Sequence, residues 1–134
     1  MTADGNIQAY LSKAEESLAS AGADYASGRY NSCANRCYYA CYQAAVAALM
    51  LAGVLRSAAG IRPEHSFVQA QFSGQLVVRR KVYEPALRSV LGELMTLRLI
   101  ADYRPGRVSQ AQAERALRRA RRFVYAVTSN RGVR

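Results

Sequence analysis

The chain has 134 residues, 51% of them apolar, and a formal net charge of +10 from 19 basic and 9 acidic residues. That length and apolar fraction exclude a disordered or fibrous chain and fit one packed domain over residues 1–134. The charge favours a polyanionic partner such as RNA, DNA or a nucleotide, against the alternative that arginine only solubilises the surface.

The opening "MTADGNIQAY" has neither a basic n-region nor an apolar h-region, so no secretory signal is expected. A first helix is expected from about Asn6 to Ala26. Ile7, Leu11, Ala14, Leu18, Ala21 and Tyr25 recur there at spacings of three and four, and Gly28 is placed to cap the C-terminus. A second helix should run from about Tyr30 to Leu51 and stop near Gly53. Within it, Cys37 to Leu55 carries no charge and is long enough for a bilayer. The run is built largely from alanine and tyrosine and contains Gln43, so it reads as a central bundle helix and no membrane partner is expected.

"RSAAGIRPEH" reads as a loop broken by Gly60 and Pro63. Val68, Phe72 and Leu76, four apart, predict a shorter third helix. "VVRRKVYEP" is ambiguous and leads to Pro85, which suits a first helical position. A fourth helix is expected from about Pro85 to Tyr103, with Leu87, Val90, Leu91, Leu94, Leu97 and Ala101 on one face and Ser89, Glu93 and Thr96 opposite. "RPGR" ends it. Ser109, with Gln112 three residues on, predicts a capped fifth helix whose inner face is Ala113, Ala116, Leu117, Ala120, Phe123, Val124 and Val127. No strand-like alternation or repeat appears. The expected fold is an all-α, up-and-down helical bundle of four long helices plus one short helix.

Cys33, Cys37 and Cys41 advance by only about 40° per step and form one stripe spread over about 12 Å. Metal ligands must converge on a point, and residues four apart on a helix bridge poorly, so the stripe reads as core packing with no metal. Three thiols without a pairing scheme fit a reducing compartment, hence the cytoplasm. The only histidine, His65, reads as a loop or helix-start residue with a local hydrogen bond. Arg98 falls in the middle of the fourth helix's apolar stripe, where a charge needs a partner. Asp102, one turn later, is the nearest candidate. The readings that stay open are an internal Arg98–Asp102 pair or a dimer-seam arginine tying down the helix C-terminus, against an arginine facing a cleft and gripping a phosphate. On the fifth helix Arg115, Arg118, Arg119 and Arg122 lie opposite the apolar face, as a phosphate-binding surface or simply a solvated one. Tyr39, next to Arg36 on the polar side of the second helix, is the tyrosine best placed for a cleft. No Gly-rich phosphate loop, catalytic triad or carboxylate pair is visible, and no cofactor is expected.

Four stretches carry a family resemblance. "SGRYNSCANRCYYACYQAA", "EHSFVQAQF", "LRLIADY" and "VSQAQAERALRRARRFVYAV" are similar, in order, to the second to fifth helices of the HEPN-domain family, whose small prokaryotic members stand alone. The resemblance implies a helical bundle, a homodimer, and a role in nucleotide or RNA chemistry. It also implies a minimal nucleotidyltransferase as partner in a toxin–antitoxin-like pair. Many family members are metal-independent ribonuclease toxins using an arginine, four residues, then a histidine. Here Tyr103 stands five positions after Arg98, and aligning "ADY" with the family's His-x-Tyr ending puts Ala101 at the histidine and Thr96 at the arginine. The histidine is absent either way, and tyrosine is poorly matched to proton transfer near neutral pH. The expectation is therefore a binding module rather than an enzyme, with Arg98, Asp102 and Tyr103 as site floor. The alternatives are a ribonuclease with a degenerate Arg/His motif and a structural dimerisation protein.

Overall fold

The computed structural model describes residues 3–56 and 63–130. Part of the expected "RSAAGIRPEH" loop therefore lies outside the described residues, as do the last arginines of the chain. Four long helices, α1 (Ala3–Ala26), α2 (Tyr30–Leu51), α4 (Val90–Tyr103) and α5 (Gln110–Asn130), enclose one core, and a short α3 (His65–Gln71) packs beside them. No strand occurs among the described residues. The all-α bundle expected from periodicity is the fold.

The centre of the bundle is α2, which packs against α1, α3, α4 and α5. From Ala44 to Met50 every residue is buried, which is why the uncharged run shows no polar face there. Small side chains let the neighbours approach closely. Gln43 is the polar exception, and its amide lies 2.8 Å from Ser17 Oγ and 3.0 Å from the Lys13 carbonyl of α1. No helix among the described residues is long and apolar enough to cross a membrane. Gly28, at φ +75°, lets the chain leave α1 and enter α2 within a few residues.

The inner face of α5 is the one expected: Ala113, Ala116, Leu117, Ala120, Phe123, Val124 and Val127 are all buried. Its start is held by a reciprocal capping box. Gln112 N–H donates to Ser109 Oγ at 3.1 Å, and Ser109 N–H donates to Gln112 Oε1 at 2.9 Å.

Two elements differ from the periodic reading. The third helix does not continue as α-helix; Phe72–Arg79 widens into a π-helix. Phe72 stacks on Tyr83 at 5.2 Å and meets Phe123 at 4.7 Å, while Leu76 and Val77 are also buried, so the wider coil turns three apolar residues inward. Lys81, at φ +53°, reverses the chain, and the Val82 and Tyr83 amides both donate to the Leu76 carbonyl. The fourth helix, expected from Pro85, starts later. Pro85–Leu87 is a 3-10 turn, and α4 itself begins at Val90. Leu87, Val90, Leu91 and Leu94 still reach the core, and Ser89, Glu93 and Thr96 face solvent, as expected.

Candidate functional site

The middle of α2 carries three tyrosines within one turn. Tyr38 and Tyr42, four apart, stack with ring centroids 6.2 Å apart. His65, the first residue of α3, lies on both, 4.4 Å from Tyr42 and 5.4 Å from Tyr38 with planes within 22°. The Tyr38 hydroxyl is hydrogen-bonded to His65 Nδ1, and the Tyr42 hydroxyl donates to the Pro63 carbonyl. These bonds satisfy the polar ends of rings that are only 1% and 4% exposed. Tyr39 meets Tyr38 and His65 edge-on and is half-buried. His65 is thus not the isolated residue that the sequence presents. The histidine closes a four-ring cluster whose other members come from α2.

Arg98 of α4 also lies against two of these rings. Its guanidinium carbon is 5.1 Å from the Tyr39 centroid and 5.6 Å from that of Tyr38. Arg98 Nε is 3.3 Å from Asp102 Oδ2, and the two side chains are 15% and 24% exposed. Arg98 is therefore paired with Asp102 and stands at the edge of solvent. The pairing is incomplete. Arg98 Nε is buried and its line to Asp102 is too oblique for a hydrogen bond, while Nη1 reaches only the Met95 sulfur at 3.5 Å. We take the contact as an ion pair whose hydrogen-bonding capacity is partly unspent.

A polar chain continues from Asp102 to α2. Asn35 Nδ2 donates to Asp102 Oδ2 at 3.0 Å, and Asn35 Oδ1 accepts from Arg36 Nε at 3.0 Å and Nη2 at 2.6 Å. The Arg36 guanidinium lies 5.2 Å from the Tyr39 centroid. Two guanidinium groups among the described residues therefore flank one tyrosine ring, with one carboxylate between them. Among the described residues, no carboxylate lies within ion-pair distance of Arg36. The local excess is positive, in a setting partly shielded from water, where charge acts more strongly than on an open face.

The remaining sequence candidates lie apart. Tyr103 is 71% exposed at the end of α4 and does not join the rings. On α5, Arg119 donates to Glu93 of α4, and Arg122 Nε lies 2.6 Å from Glu84. Arg115 and Arg118 face solvent. Arg115 and Arg119 rim a groove of about 350 Å³ between α4 and α5, floored by Leu94, Leu97 and Ala116. Sequence reasoning weighs Tyr38 as core and His65 as a lone helix-start residue, and it does not single out Asn35. Their meeting depends on three helices, and helical periodicity reports only on one helix at a time.

Cys33, Cys37 and Cys41 are free thiols with no exposure, and Cys33 Sγ lies 3.9 Å from Cys37 Sγ. Burial pushes the Cys41 thiol well above its ordinary value, and contact with Cys33 together with burial does the same for Cys37. No group of three potential metal ligands occurs among the described residues. The stripe is core, as its spacing indicates.

Compared with known families, the chain matches the HEPN domain over residues 7–130. No curated protein gives a significant match.

Proposed function

The chain belongs to the HEPN-domain family, and from that premise we propose that it is a one-domain nucleotide- or RNA-binding module of the cytoplasm. The observation that carries this reading is the Arg36–Asn35–Asp102–Arg98 chain, which leaves two guanidinium groups beside Tyr39 with a single carboxylate between them. Arg115 and Arg118 on α5 add long-range attraction for a phosphate backbone. In this reading the partner is a minimal nucleotidyltransferase in a toxin–antitoxin-like pair. The chain also forms a homodimer, which the exposed Leu99 and Tyr103, one turn apart on α4, support.

The test is an RNA-binding and cleavage assay in EDTA at two salt concentrations, with the wild type and a folded Arg98→Ala variant. Salt-sensitive binding without cleavage, lost in the variant, is the expected result. Neither binding nor cleavage would refute the module and leave the structural dimer.

A second reading has one observation in its favour. His65 is one ring away from Arg98, since Tyr38 and Tyr39 each contact both. An imidazole there supplies the proton-moving group missing from α4, so a metal-independent ribonuclease would use Arg98 with His65. Cleavage abolished by either Arg98→Ala or His65→Ala, and toxicity on expression, would replace the first reading with this one.

A further inference from the structure

The rings of the site are closed to a base, and its cations are not closed to an anion. Nucleobase recognition by stacking needs an accessible aromatic face. Tyr38 and Tyr42 are almost wholly buried and stacked on each other and on His65. Tyr39, the half-buried ring, already has Arg36 and Arg98 against it. What the site offers instead is two planar guanidinium forks, the geometry that matches phosphate oxygens two at a time. Arg36 is held by a neutral amide oxygen, and the Arg98 contacts are an oblique carboxylate and a thioether. Asp102 stays fixed by Asn35 when Arg98 turns to a ligand.

We propose that this site recognises a terminal phosphate monoester, held between Arg36 and Arg98, and that the attached nucleoside stays outside. The proposal rests on the reading of the site as nucleotide- or RNA-binding. Ligand geometry selects the monoester, because its three terminal oxygens can answer two guanidinium forks, whereas an internal diester offers two free oxygens only. Access selects it too. Arg98 is 15% exposed, so a group with one covalent attachment reaches it more readily than a backbone phosphate with two. The source is either a mononucleotide or the phosphorylated end of an RNA strand, since both present the same group.

The experiment is calorimetric titration with AMP, adenosine, and a trinucleotide carrying either a 5′-phosphate or a 5′-hydroxyl, at one ionic strength. AMP should bind at least tenfold more tightly than adenosine, the phosphorylated trinucleotide at least tenfold more tightly than its hydroxyl form, and inorganic phosphate should displace AMP. Arg36→Gln should lower AMP affinity about tenfold and collapse the AMP-to-adenosine ratio. Arg36→Lys, which keeps the charge and loses the fork, should fall between. Arg79→Gln, an equal charge change at an exposed residue elsewhere, should leave the ratio unchanged, and circular dichroism checks that each variant is folded. Equal affinity for AMP and the phosphorylated trinucleotide assigns the mononucleotide; a tighter trinucleotide assigns the strand end. Adenosine binding as well as AMP, or the hydroxyl trinucleotide as well as its phosphorylated form, overturns the proposal and leaves nucleic-acid binding standing. Failure of every nucleotide and RNA to bind overturns both.

Discussion

Arg98 separates stability from function at the level of one side chain. Removing one partner of a largely buried ion pair leaves the other charge uncompensated, but Asn35 still donates to the Asp102 carboxylate, which limits the cost. Arg98→Met should therefore lower unfolding free energy by about 1–2 kcal/mol in urea titration, while RNA or nucleotide binding is lost. Arg98→Ala also removes the packing over two rings and should cost about 2–3 kcal/mol. The thiols make a second prediction. Cys41 has a folded-state pKa raised by burial, so it stays neutral in the fold while the unfolded chain ionises it in the ordinary thiol range. Its contribution is fully present below that range, about pH 8.5, and is lost as pH rises above it, by up to about 1.4 kcal/mol per pH unit. Denaturation from pH 7 to 10 should show the decline, and Cys41→Ala should make it shallower. A stability curve flat across that range would refute the assignment.

At the level of elements, α5 was legible to the residue and α3 was not, and the difference is physical. The α5 pattern needs only a uniform helical period plus a cap made by its own Ser109 and Gln112, all local information. Ser109→Ala should cost about 1 kcal/mol, measured by thermal or urea unfolding, because one orphan amide loses its acceptor. The widening of α3 into a π-helix depends on Phe72 meeting Phe123 and Tyr83, partners 51 and 11 residues away, and nothing in "FSGQLVVR" announces it. The late start of α4 has the same character, since Pro85 permits a helix and the 3-10 turn at Pro85–Leu87 takes its place. The site divides along the same line. Arg98 was legible as a charge in an apolar stripe and Asp102 as its neighbour one turn on. His65 and Asn35 acquire meaning only when α2, α3 and α4 are brought together.

At the level of the whole molecule, the net charge of +10 does not act evenly. Arg119 and Arg122 are committed to Glu93 and Glu84, whereas Arg115 and Arg118 face solvent. In salt titrations of single-stranded RNA binding, Arg115→Gln with Arg118→Gln should reduce the slope of log affinity against log salt by about 1.4, roughly 0.7 for each lost phosphate contact. Arg122→Gln should reduce it less. Equal effects would mean that the intramolecular pairs do not restrain the arginines in solution.

The π-helical stretch also makes chain length a coordinate of the site. Between His65, which closes the ring cluster, and Tyr83, which anchors the next turn to Phe72, residues 72–79 set the phase of the coil. Removing one residue there would tend to restore the tighter α-helical coil and turn α3 by about 100° relative to the segment that leads into α4. A neighbour of His65, not His65, would then point at Tyr38. In descendants of this sequence, an insertion or deletion within those eight positions would act as a rotation rather than a change of length, exchanging the imidazole for another side chain with every residue of the cluster itself untouched.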